Sequence, residues 1–328
     1  MSETGRPTNP AAEEILGRYF PVLDHGFVAL VDYMGSDEDV ERAARVSYGY
    51  GTRRSNQTRG LVRYLRRHRH STPSEMVELK FHCCMPVFVA RQWIRHRTAS
   101  VNEYSGRYSL LPLLFYRPAA EHLQAQSATN NQGRAGAPLD ALYPEAIARW
   151  DRLRAEAAQT YEWLVEHDVA REIARIDLPL SVYTQWYWKV NLHNLLHFLK
   201  LRVDAHAQYE IRAFGQIMAG MVARVAPSSF EAWYDYEFQG VELSRGEMEA
   251  LRRLIVVEGG ALQARPGARV DAAALAALGL SARESEELLR KLATTPARTD
   301  FTLDLSVARP AEEFAAKMAA AVPRVDRA

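Results

Sequence analysis

The stretch from residue 77 to residue 108 constrains the fold of this chain more than any other part of its sequence. Val77 to Cys84 has the composition of a strand, and Pro86 follows it at a position suited to the first turn of a helix. Apolar side chains then recur at helical spacing, namely Val87, Phe88, Ala90, Trp93 and Ile94. The chain leaves this helix through polar sequence that contains a glycine, Gly106. We therefore predict a strand, a helix and an irregular polar segment in succession.

Four arginines fall within the last eighteen residues of this stretch: Arg91, Arg95, Arg97 and Arg107. Their neighbours include the hydroxyls of Ser100 and Ser105 and a single carboxylate, that of Glu103. Guanidinium donors beside hydroxyls and a glycine suit the binding of phosphate and other anions. Glu103 can orient those donors or accept a hydrogen bond from a base or a ribose. The alternative interpretation is a solvated, arginine-rich helix end.

The same stretch resembles the signature of the flavin-dependent thymidylate synthase family. Arg95-His96-Arg97 is followed after seven residues by Ser105, and further matches are Gln92, Asn102-Glu103 and Gly106-Arg107-Tyr108. The resemblance covers roughly residues 22–240 and is strongest at 70–75, 91–108 and 175–208. It implies an α+β fold in which a twisted, mainly antiparallel sheet is flanked by helices. A Rossmann fold is not expected, and no G-x-G-x-x-G fingerprint follows a predicted strand.

The resemblance also implies an activity, the methylation of dUMP to dTMP. The carbon donor would be 5,10-methylenetetrahydrofolate, the redox cofactor tightly bound FAD, and the reductant NADPH. Methylation of uracil C5 requires electron density at that carbon, and neither Cys83 nor Cys84 is an obvious activated nucleophile. The resemblance places Arg202 at the uracil, so we predict that its cation stabilises the ionised ring electrostatically as the catalytic residue. Family members are homotetramers, and we expect the active sites to be shared between subunits.

The family pattern assigns residues of this chain to two ligands. To dUMP it assigns Gln92, Trp93, Ile94, Arg95, Glu103, Tyr104, Ser105, Gly106, Arg107, Arg175 and Arg202. To the flavin it assigns His70, Thr72, Glu75, Arg95, His96, Arg97, Glu103, Asn191, His193, His197, Leu201 and His206. Tyr108 and His70 are expected to border the path of the folate or the nicotinamide. His193 and His197 replace the Arg and Asn of some members, which leaves their individual contacts open.

Two of these groups have simpler explanations from the residues themselves. Thr72 and Glu75 have the spacing of a capping box, with Pro73 at the first helical position. His193 and His197 have the four-residue spacing of zinc ligands on a helix. However, residue 194 is Asn where zinc proteases of that pattern carry a glutamate, and no further ligand spacing is evident. We therefore predict no metal site.

The charge balance points away from nucleic acid and membrane partners. Lysine and arginine number 41 and aspartate and glutamate 40, a net charge of +1, so no global field attracts a polyanion. Basic residues crowd only between Arg53 and Arg69, where they form either an anion patch or a solvated helix face. The adjacent Cys83 and Cys84 would point to opposite faces of a strand, so they are expected to be unpaired. Unpaired thiols, with no signal peptide or membrane span, favour a cytoplasmic location.

The sequence divides into three predicted segments. Residues 1–20 are expected to form a flexible arm, residues 21–242 the catalytic domain, and residues 243–328 a helical extension. In the catalytic domain, residues 124–138 lack periodicity and are predicted to be a mobile loop or insertion, and residues 147–164 a long amphipathic helix. In the extension, helices are predicted at 246–264, 270–278 and 281–292, the last with a Ser281–Glu284 capping box.

Two other functional classes remain as alternatives. A non-catalytic nucleotide- or RNA-binding protein would use the arginines of residues 53–69 and 91–107. It would bind polynucleotides in a salt-dependent way and carry no chromophore. A nucleotide-dependent NADPH oxidase would be yellow and would consume NADPH without forming dTMP.

Overall fold

The sheet that organises the protein joins strands from widely separated parts of the sequence. The computed structural model describes residues 8–47, 58–128, 133–295 and 297–324. Among them, one compact unit runs to Trp233 and resumes at Phe301, and a second runs from Tyr234 to Asp300. The strands of the first unit are β1 (Tyr19–Val22), β2 (Gly26–Met34), β3 (Glu78–Pro86), β4 (Ser100–Glu103), β5 (Gln124–Gln126), β6 (Arg134–Pro138) and β7 (Tyr183–Asn191).

Five of these strands form one sheet in the order β1-β2-β3-β7-β4, and each neighbouring pair is antiparallel. This confirms the predicted α+β class with a mainly antiparallel sheet. In the register of β3 and β7, Cys83 lies opposite Trp186 and Cys84 opposite Gln185. The two thiols are therefore on opposite faces of the sheet, and both are free and buried as expected.

Helices of the first unit flank this sheet. They are α1 (Pro10–Glu13), α2 (Asp37–Arg45), α3 (Thr58–Arg67), α4 (Thr72–Glu75), α5 (Val87–Trp93), α6 (Tyr143–Glu166), α7 (Arg171–Ala174), α8 (Leu192–Arg202), α9 (Tyr209–Val225) and α10 (Pro227–Trp233). The predicted strand, helix and polar segment of residues 77–108 are confirmed as β3, α5 and the stretch through β4. Of the described helices, none combines the length and the hydropathy that crossing a bilayer requires.

Aromatic side chains fill the face of the sheet that α5, α8 and α9 cover. The ring of Trp93 packs on those of Phe198, Trp188 and Phe214 at centroid distances of 4.9, 5.3 and 5.9 Å. Trp93 is completely buried, so this cluster fixes the end of α5 against β7 and α8. Because α5 ends in this core, the polar residues that follow it emerge at one defined place beside β7.

The second unit is smaller and mixes helices with a hairpin. Its elements are α11 (Arg245–Leu254), β8 (Ile255–Glu258), β9 (Ala261–Ala264), α12 (Ala272–Ala277) and α13 (Ala282–Ala293). The prediction of one helix over 246–264 is wrong after Leu254. Val256 and Val257 favour a strand, and Gly259 and Gly260 turn the hairpin at φ values of 57° and 81°. The Ser281–Glu284 capping box is confirmed.

The chain then returns to the first unit, so residues 243–328 do not form a single extension. Phe301 is buried there, with its ring 6.2 Å from that of Trp233. A last helix, α14 (Ala311–Ala320), packs Phe314 and Met318 against Tyr19 and Phe27 on the other face of the sheet. The predicted boundary at residue 243 differs because this return depends on contacts between positions almost 300 residues apart, which no local pattern records.

The predicted flexible arm is anchored over its described part. Asn9 caps α1 by accepting from the N–H of Ala11, and its amide donates to the carbonyls of Arg224 and Val225 at the end of α9. Ile15 is completely buried. For residues 8–20 the prediction is therefore corrected, because the segment is held by capping bonds and by burial. Residues 1–7 lie outside the described residues.

The predicted mobile loop at 124–138 contains a hairpin, formed by β5 and β6. Residues 129–132 lie outside the described residues. Arg134, the first residue of β6, donates to both oxygens of Glu210 in the first turn of α9. The prediction is corrected for the described residues, since a side-chain contact with a distant helix supplies the order that the local sequence does not indicate.

Candidate functional site

A cavity of about 350 Å³ lies where the end of α5 meets β7 and α8. The residues that line it are Arg95, His96, Arg97, Thr98, Trp188, Val190, Asn194, His197, Leu201 and Arg202. Six of them, Arg95, His96, Arg97, His197, Leu201 and Arg202, belong to the predicted site. The described lining includes three guanidinium groups and no carboxylate, so the cavity suits an anionic ligand.

The pair formed by His96 and Arg202 defines one wall of this cavity. The Nε of Arg202 donates to Nε2 of His96 at 3.0 Å. Burial, with the charges of Arg202 and His197, lowers the pKa of His96 to about 4. The imidazole is therefore neutral near pH 7 and accepts through Nε2, which leaves its other nitrogen to carry the proton. Since Nε of Arg202 is engaged, the two Nη groups remain to donate towards a ligand.

A second group of predicted residues surrounds Gly106. A Cβ at this buried glycine would approach Cδ of Arg175 to 3.0 Å, so Arg175 lies directly against the backbone there. The N–H of Arg107 donates to Oγ of Ser105 at 3.3 Å. The guanidinium of Arg107 pairs with Glu172 at 3.0 Å, and both side chains are more than half exposed. Two arginines and a hydroxyl thus meet at a closely packed turn, a suitable arrangement for a phosphate.

Glu103 and Tyr104 are held by the sheet edge and the segment beyond it. Oε1 of Glu103 accepts from the hydroxyl of Thr184 at 2.8 Å. Tyr104 donates its hydroxyl to the carbonyl of Leu110 at 2.7 Å. These bonds fix the carboxylate of Glu103 on the exposed strand β4. Further along, Arg171 donates to the carbonyl of Tyr108 at 2.5 Å, which ties the end of the signature to α7.

Gln92 lies on α5 and makes a side-chain contact that its motif does not predict. Its Nε2 donates to Oε1 of Gln208, the residue that caps α9. Gln208 in turn donates to Oε2 of Glu210 at 2.8 Å. Neither Gln208 nor Glu210 was among the predicted site residues, because nothing in the local sequence links them to residue 92.

His70 and Thr72 line a different cavity, of about 1020 Å³, beside α2 and α3. The predicted capping box is absent, because Thr72 is the first residue of α4 and the cap position belongs to Ser71, which makes no side-chain cap bond. Glu75, at the end of α4, is half-buried. Within one chain these three residues do not join the lining of the cavity at Arg202.

Trp93 differs from the other residues predicted for the nucleotide site. Its side chain is completely buried in the aromatic core, where it packs on Phe198. The signature places it between functional residues because one side of α5 packs inwards while neighbouring positions turn outwards. Ile94, which follows α5, is 42% exposed.

The remaining predicted flavin positions fall on or near α8. Asn191 caps this helix by accepting from the N–H of Asn194 at 2.9 Å. His197 and Leu201 line the cavity, whereas His193 does not appear in its lining. His206 is exposed and pairs with Asp204 at 2.8 Å. Among the described residues, no His, Cys, Asp and Glu side chains are grouped in threes or more as metal ligands would be.

The four lining residues that the sequence did not predict are Thr98, Trp188, Val190 and Asn194. Trp188 and Val190 are mostly buried residues of β7. The strand pattern that identified β7 could have indicated that one of its faces continues into the site. Both cysteines lie elsewhere in the sheet, and burial raises the pKa of Cys83 and Cys84, so neither thiol is activated.

Comparison with known proteins shows which family the chain resembles. The family model described as thymidylate synthase complementing protein matches residues 29–228. The flavin-dependent thymidylate synthase of Ruegeria pomeroyi is 53% identical over 263 residues, covering 78% of this chain and 86% of the relative. That of Gluconobacter oxydans is 52% identical over 261 residues, covering 78% and 85%. The crystal structure of the UMP/dUMP methylase PolB from Streptomyces cacaoi, bound with 5-Br dUMP, is 33% identical with a TM-score of 0.60, covering 66% of this chain and 98% of its own.

Proposed function

The chain belongs to the flavin-dependent thymidylate synthase family, and from this premise we propose that it methylates dUMP with 5,10-methylenetetrahydrofolate, using FAD and NADPH. The observation that carries the proposal is the pairing of Arg202 with a neutral His96 in a cavity lined by further arginines. It provides an oriented, partly desolvated cation where a pyrimidine must become electron-rich. We place the reaction in the cytoplasm, whose reducing conditions suit two free thiols.

Arg202 acts on the pyrimidine by electrostatics. Burial lowers the pKa of its guanidinium, yet an arginine side chain stays charged near pH 7. Its Nε is held by His96, so its remaining donors keep a fixed direction when negative charge develops on the uracil ring. A preorganised donor of this kind is worth several kcal/mol in a site that excludes water, about 3 kcal/mol per hydrogen bond. The buried, protonated cysteines offer no competing nucleophile.

The nucleotide's phosphate would be bound at the turn around Gly106. Arg107 and Arg175 supply guanidinium forks, and Ser105 a hydroxyl. The glycine matters because a Cβ would compete for the space that the Arg175 side chain occupies. Arg107, which pairs with Glu172, would exchange that carboxylate for the phosphate as the nucleotide binds.

The lining of the cavity at Arg202 also suits part of a flavin nucleotide. Arg95 and Arg97 are exposed cations at its rim and suit the pyrophosphate, while Trp188 and Val190 give it a partly apolar wall. His197 and Asn194 add polar groups on α8. Bound FAD would supply the hydride that reduces the transferred one-carbon unit to a methyl group. The chain's own residues would hold it and keep water out.

We propose a homotetramer with shared sites, and the way in which one chain distributes these residues supports it. His70 and Thr72 line a cavity whose described lining shares no residue with that of the cavity at Arg202. The turn at Gly106 forms a third location. We propose that a neighbouring subunit brings the groups of different chains together around the flavin and dUMP.

The proposal is tested by spectroscopy on the purified protein. The absorption spectrum is recorded, NADPH is added anaerobically, and then dUMP with methylenetetrahydrofolate. We expect a flavin spectrum that bleaches with NADPH and recovers as dTMP forms. Bleaching without dTMP would indicate a flavin reductase instead. A colourless protein that FAD cannot reconstitute would reject the proposal.

A further inference from the structure

Glu210 is a buried carboxylate whose hydrogen bonds reach from the β5–β6 hairpin to the proposed nucleotide site. It is 3% exposed and lies in the first turn of α9. Its Oε1 accepts from the hydroxyl of Tyr116 at 3.0 Å and from Nη2 of Arg134 at 2.9 Å. Its Oε2 accepts from the same Nη2 at 2.8 Å and from Nε2 of Gln208 at 2.8 Å. In each of these four hydrogen bonds the carboxylate is the acceptor.

The carboxylate stays ionised despite its burial. Burial raises its pKa, but hydrogen bonds from Arg134 and Gln208, with the charge of Arg134, bring the pKa below its ordinary value. An ionised carboxylate can only accept hydrogen bonds. Whatever amide group faces it must therefore present its NH₂ end.

The same requirement fixes the orientation of the amide groups of Gln208 and Gln92. Gln208 directs Nε2 to Glu210, which leaves its Oε1 as the acceptor facing Gln92. Gln92 must then direct its own Nε2 to Gln208. The Oε1 of Gln92 is thus the end of the amide that stays available to another molecule. The charge at Glu210 sets the direction of both amides, which would otherwise be free to turn over.

Arg134, which pairs with Glu210, is itself held by a further hydrogen bond. Nη1 of Arg134 donates to the carbonyl of His122 at 2.6 Å. The ring of His122 stacks on that of Tyr209 with centroids 3.6 Å apart and planes inclined by 26°. Tyr209 and Glu210 are consecutive residues of α9, so His122, just before β5, and Arg134, in β6, contact the start of this helix at two adjacent residues.

We propose that Arg134, Glu210 and Gln208 are positioning residues that hold Gln92 with its carbonyl oxygen towards a hydrogen-bond donor of the pyrimidine nucleotide. This rests on the proposed function and on the family resemblance, which assigns Gln92 to dUMP. The nucleotide offers two donors of the required kind, the N3–H of uracil and the 3′-hydroxyl of the sugar. Fixing the acceptor in advance spares the amide the loss of rotamer freedom on binding.

The test is a double-mutant cycle on the flavin-loaded, full-length protein. Gln208 is exposed, so Gln208→Leu removes its hydrogen bonds to Gln92 and Glu210 and leaves the ion pair of Arg134 with Glu210 in place. We expect it to weaken dUMP binding, measured by calorimetry, by roughly 3- to 10-fold, the effect of one lost hydrogen bond. Its melting temperature and FAD affinity should match those of the wild type. In a Gln92→Leu background, Gln208→Leu should have no further effect.

A second pair of variants tests the hairpin. Arg134→Met should weaken dUMP binding in the same direction, and again only when Gln92 is present. The matched control is Arg149→Met, which breaks the 2.6 Å pair of Arg149 with Glu145 on the surface of α6. The control should leave dUMP affinity unchanged. If Arg134→Met fails to fold, the Gln208 cycle decides the matter alone.

Several outcomes would overturn the inference while leaving the proposed function intact. They are additive effects of the Gln92 and Gln208 substitutions, no effect of Gln92→Leu on dUMP affinity, or an unaltered affinity in Gln208→Leu. A wild-type protein that forms no dTMP would instead reject the proposed function. The donor is identified with 2′,3′-dideoxyuridine monophosphate. If the 3′-hydroxyl is the donor, Gln208→Leu has no effect on its affinity, and if N3–H is the donor, the effect persists.

Discussion

The Nε of Arg202 and Nε2 of His96 lie 3.0 Å apart, in a hydrogen bond that only a neutral imidazole can accept. The pKa of His96 falls from 6.5 to about 4 through burial, Arg202 and His197. Between these two values the unfolded chain binds more protons at this residue than the folded protein does. The free energy of unfolding therefore decreases as the pH falls from about 6.5 towards 4. The stability that the neutral His96 contributes is fully present only above pH 6.5.

This contribution is removed in His96→Asn, whose amide oxygen can still accept from Arg202 but does not titrate. We expect the melting temperature of the wild type to fall more than that of the variant between pH 6.5 and pH 4. Expressed as the free energy of unfolding, the extra loss in the wild type should amount to about 1–2 kcal/mol, since the ring is only half-buried. Other histidines with lowered pKa values, His25, His82 and His122, affect both proteins equally. Parallel melting curves would show that His96 is not held neutral.

Arg202→Lys keeps the positive charge and removes the Nε that His96 holds. We expect the rate of dTMP formation to fall by about 10²- to 10³-fold, as when one preorganised donor is lost from a site that stabilises developing charge. Because Arg95 and Arg97 remain, flavin content should be unchanged. The measurement is single-turnover dTMP formation in flavin-loaded protein, with Arg149→Lys on the surface of α6 as control. A rate near that of the wild type would remove Arg202 from the catalytic role.

Gly106→Ala tests the turn that is proposed to bind phosphate. The new Cβ would lie 3.0 Å from Cδ of Arg175 and from the side chain of Leu111, so the arginine must shift by a few tenths of an ångström. We expect the KM for dUMP to rise roughly 3- to 10-fold, since misplacing one charged hydrogen-bond partner costs on the order of 1 kcal/mol. The change in kcat should be smaller.

A matched glycine variant controls for the loss of backbone freedom. Gly60, exposed in α3, has open space around the position of a Cβ. Gly60→Ala should leave the KM unchanged and stabilise the protein by about 0.5–1 kcal/mol, the helix propensity difference. An unchanged KM in Gly106→Ala would mean that Arg175 does not contact the nucleotide from this position.

The second unit is expected to be dispensable for flavin binding. All the proposed ligand-binding residues belong to the first unit, and the rings of Trp233 and Phe301, which flank the second unit, lie 6.2 Å apart. Replacing residues 234–300 by a short Gly-Ser linker should therefore give a folded, yellow protein. Circular dichroism and the flavin spectrum check this. A colourless or unfolded product would show that residues 234–300 contribute to the fold of the first unit.

Local patterns predicted what depends on neighbouring residues. The strand β3 and the helix α5 were predictable because their composition and hydrophobic periodicity lie within a few turns of chain. The grouping of Arg95, Arg97 and Arg202 required a resemblance as well, since α8 is remote in sequence. Trp93 shows the limit of a motif, because membership of the signature does not reveal which side of a helix a residue faces.

Long-range contacts account for what the sequence did not predict. The bond between Gln92 and Gln208 joins positions 116 residues apart, and that between Arg134 and Glu210 spans 76. Neither has a periodic signal. The hairpin at Gly259 and Gly260 is different, because its β-branched residues and paired glycines are a local signal of two strands and a turn. The surrounding alanine and leucine residues favoured a helix instead.

The position of α14 in the chain has a consequence for biosynthesis. Phe314 packs against Phe27 with ring centroids 4.9 Å apart, although 287 residues (314 minus 27) separate them. At about 5–20 residues per second, a ribosome needs roughly 15–60 seconds to pass from one to the other. Throughout that time the nascent chain presents the face of the sheet around Tyr19 and Phe27 without its cover. Newly made protein should therefore depend on chaperones at this face until the last helix has left the exit tunnel.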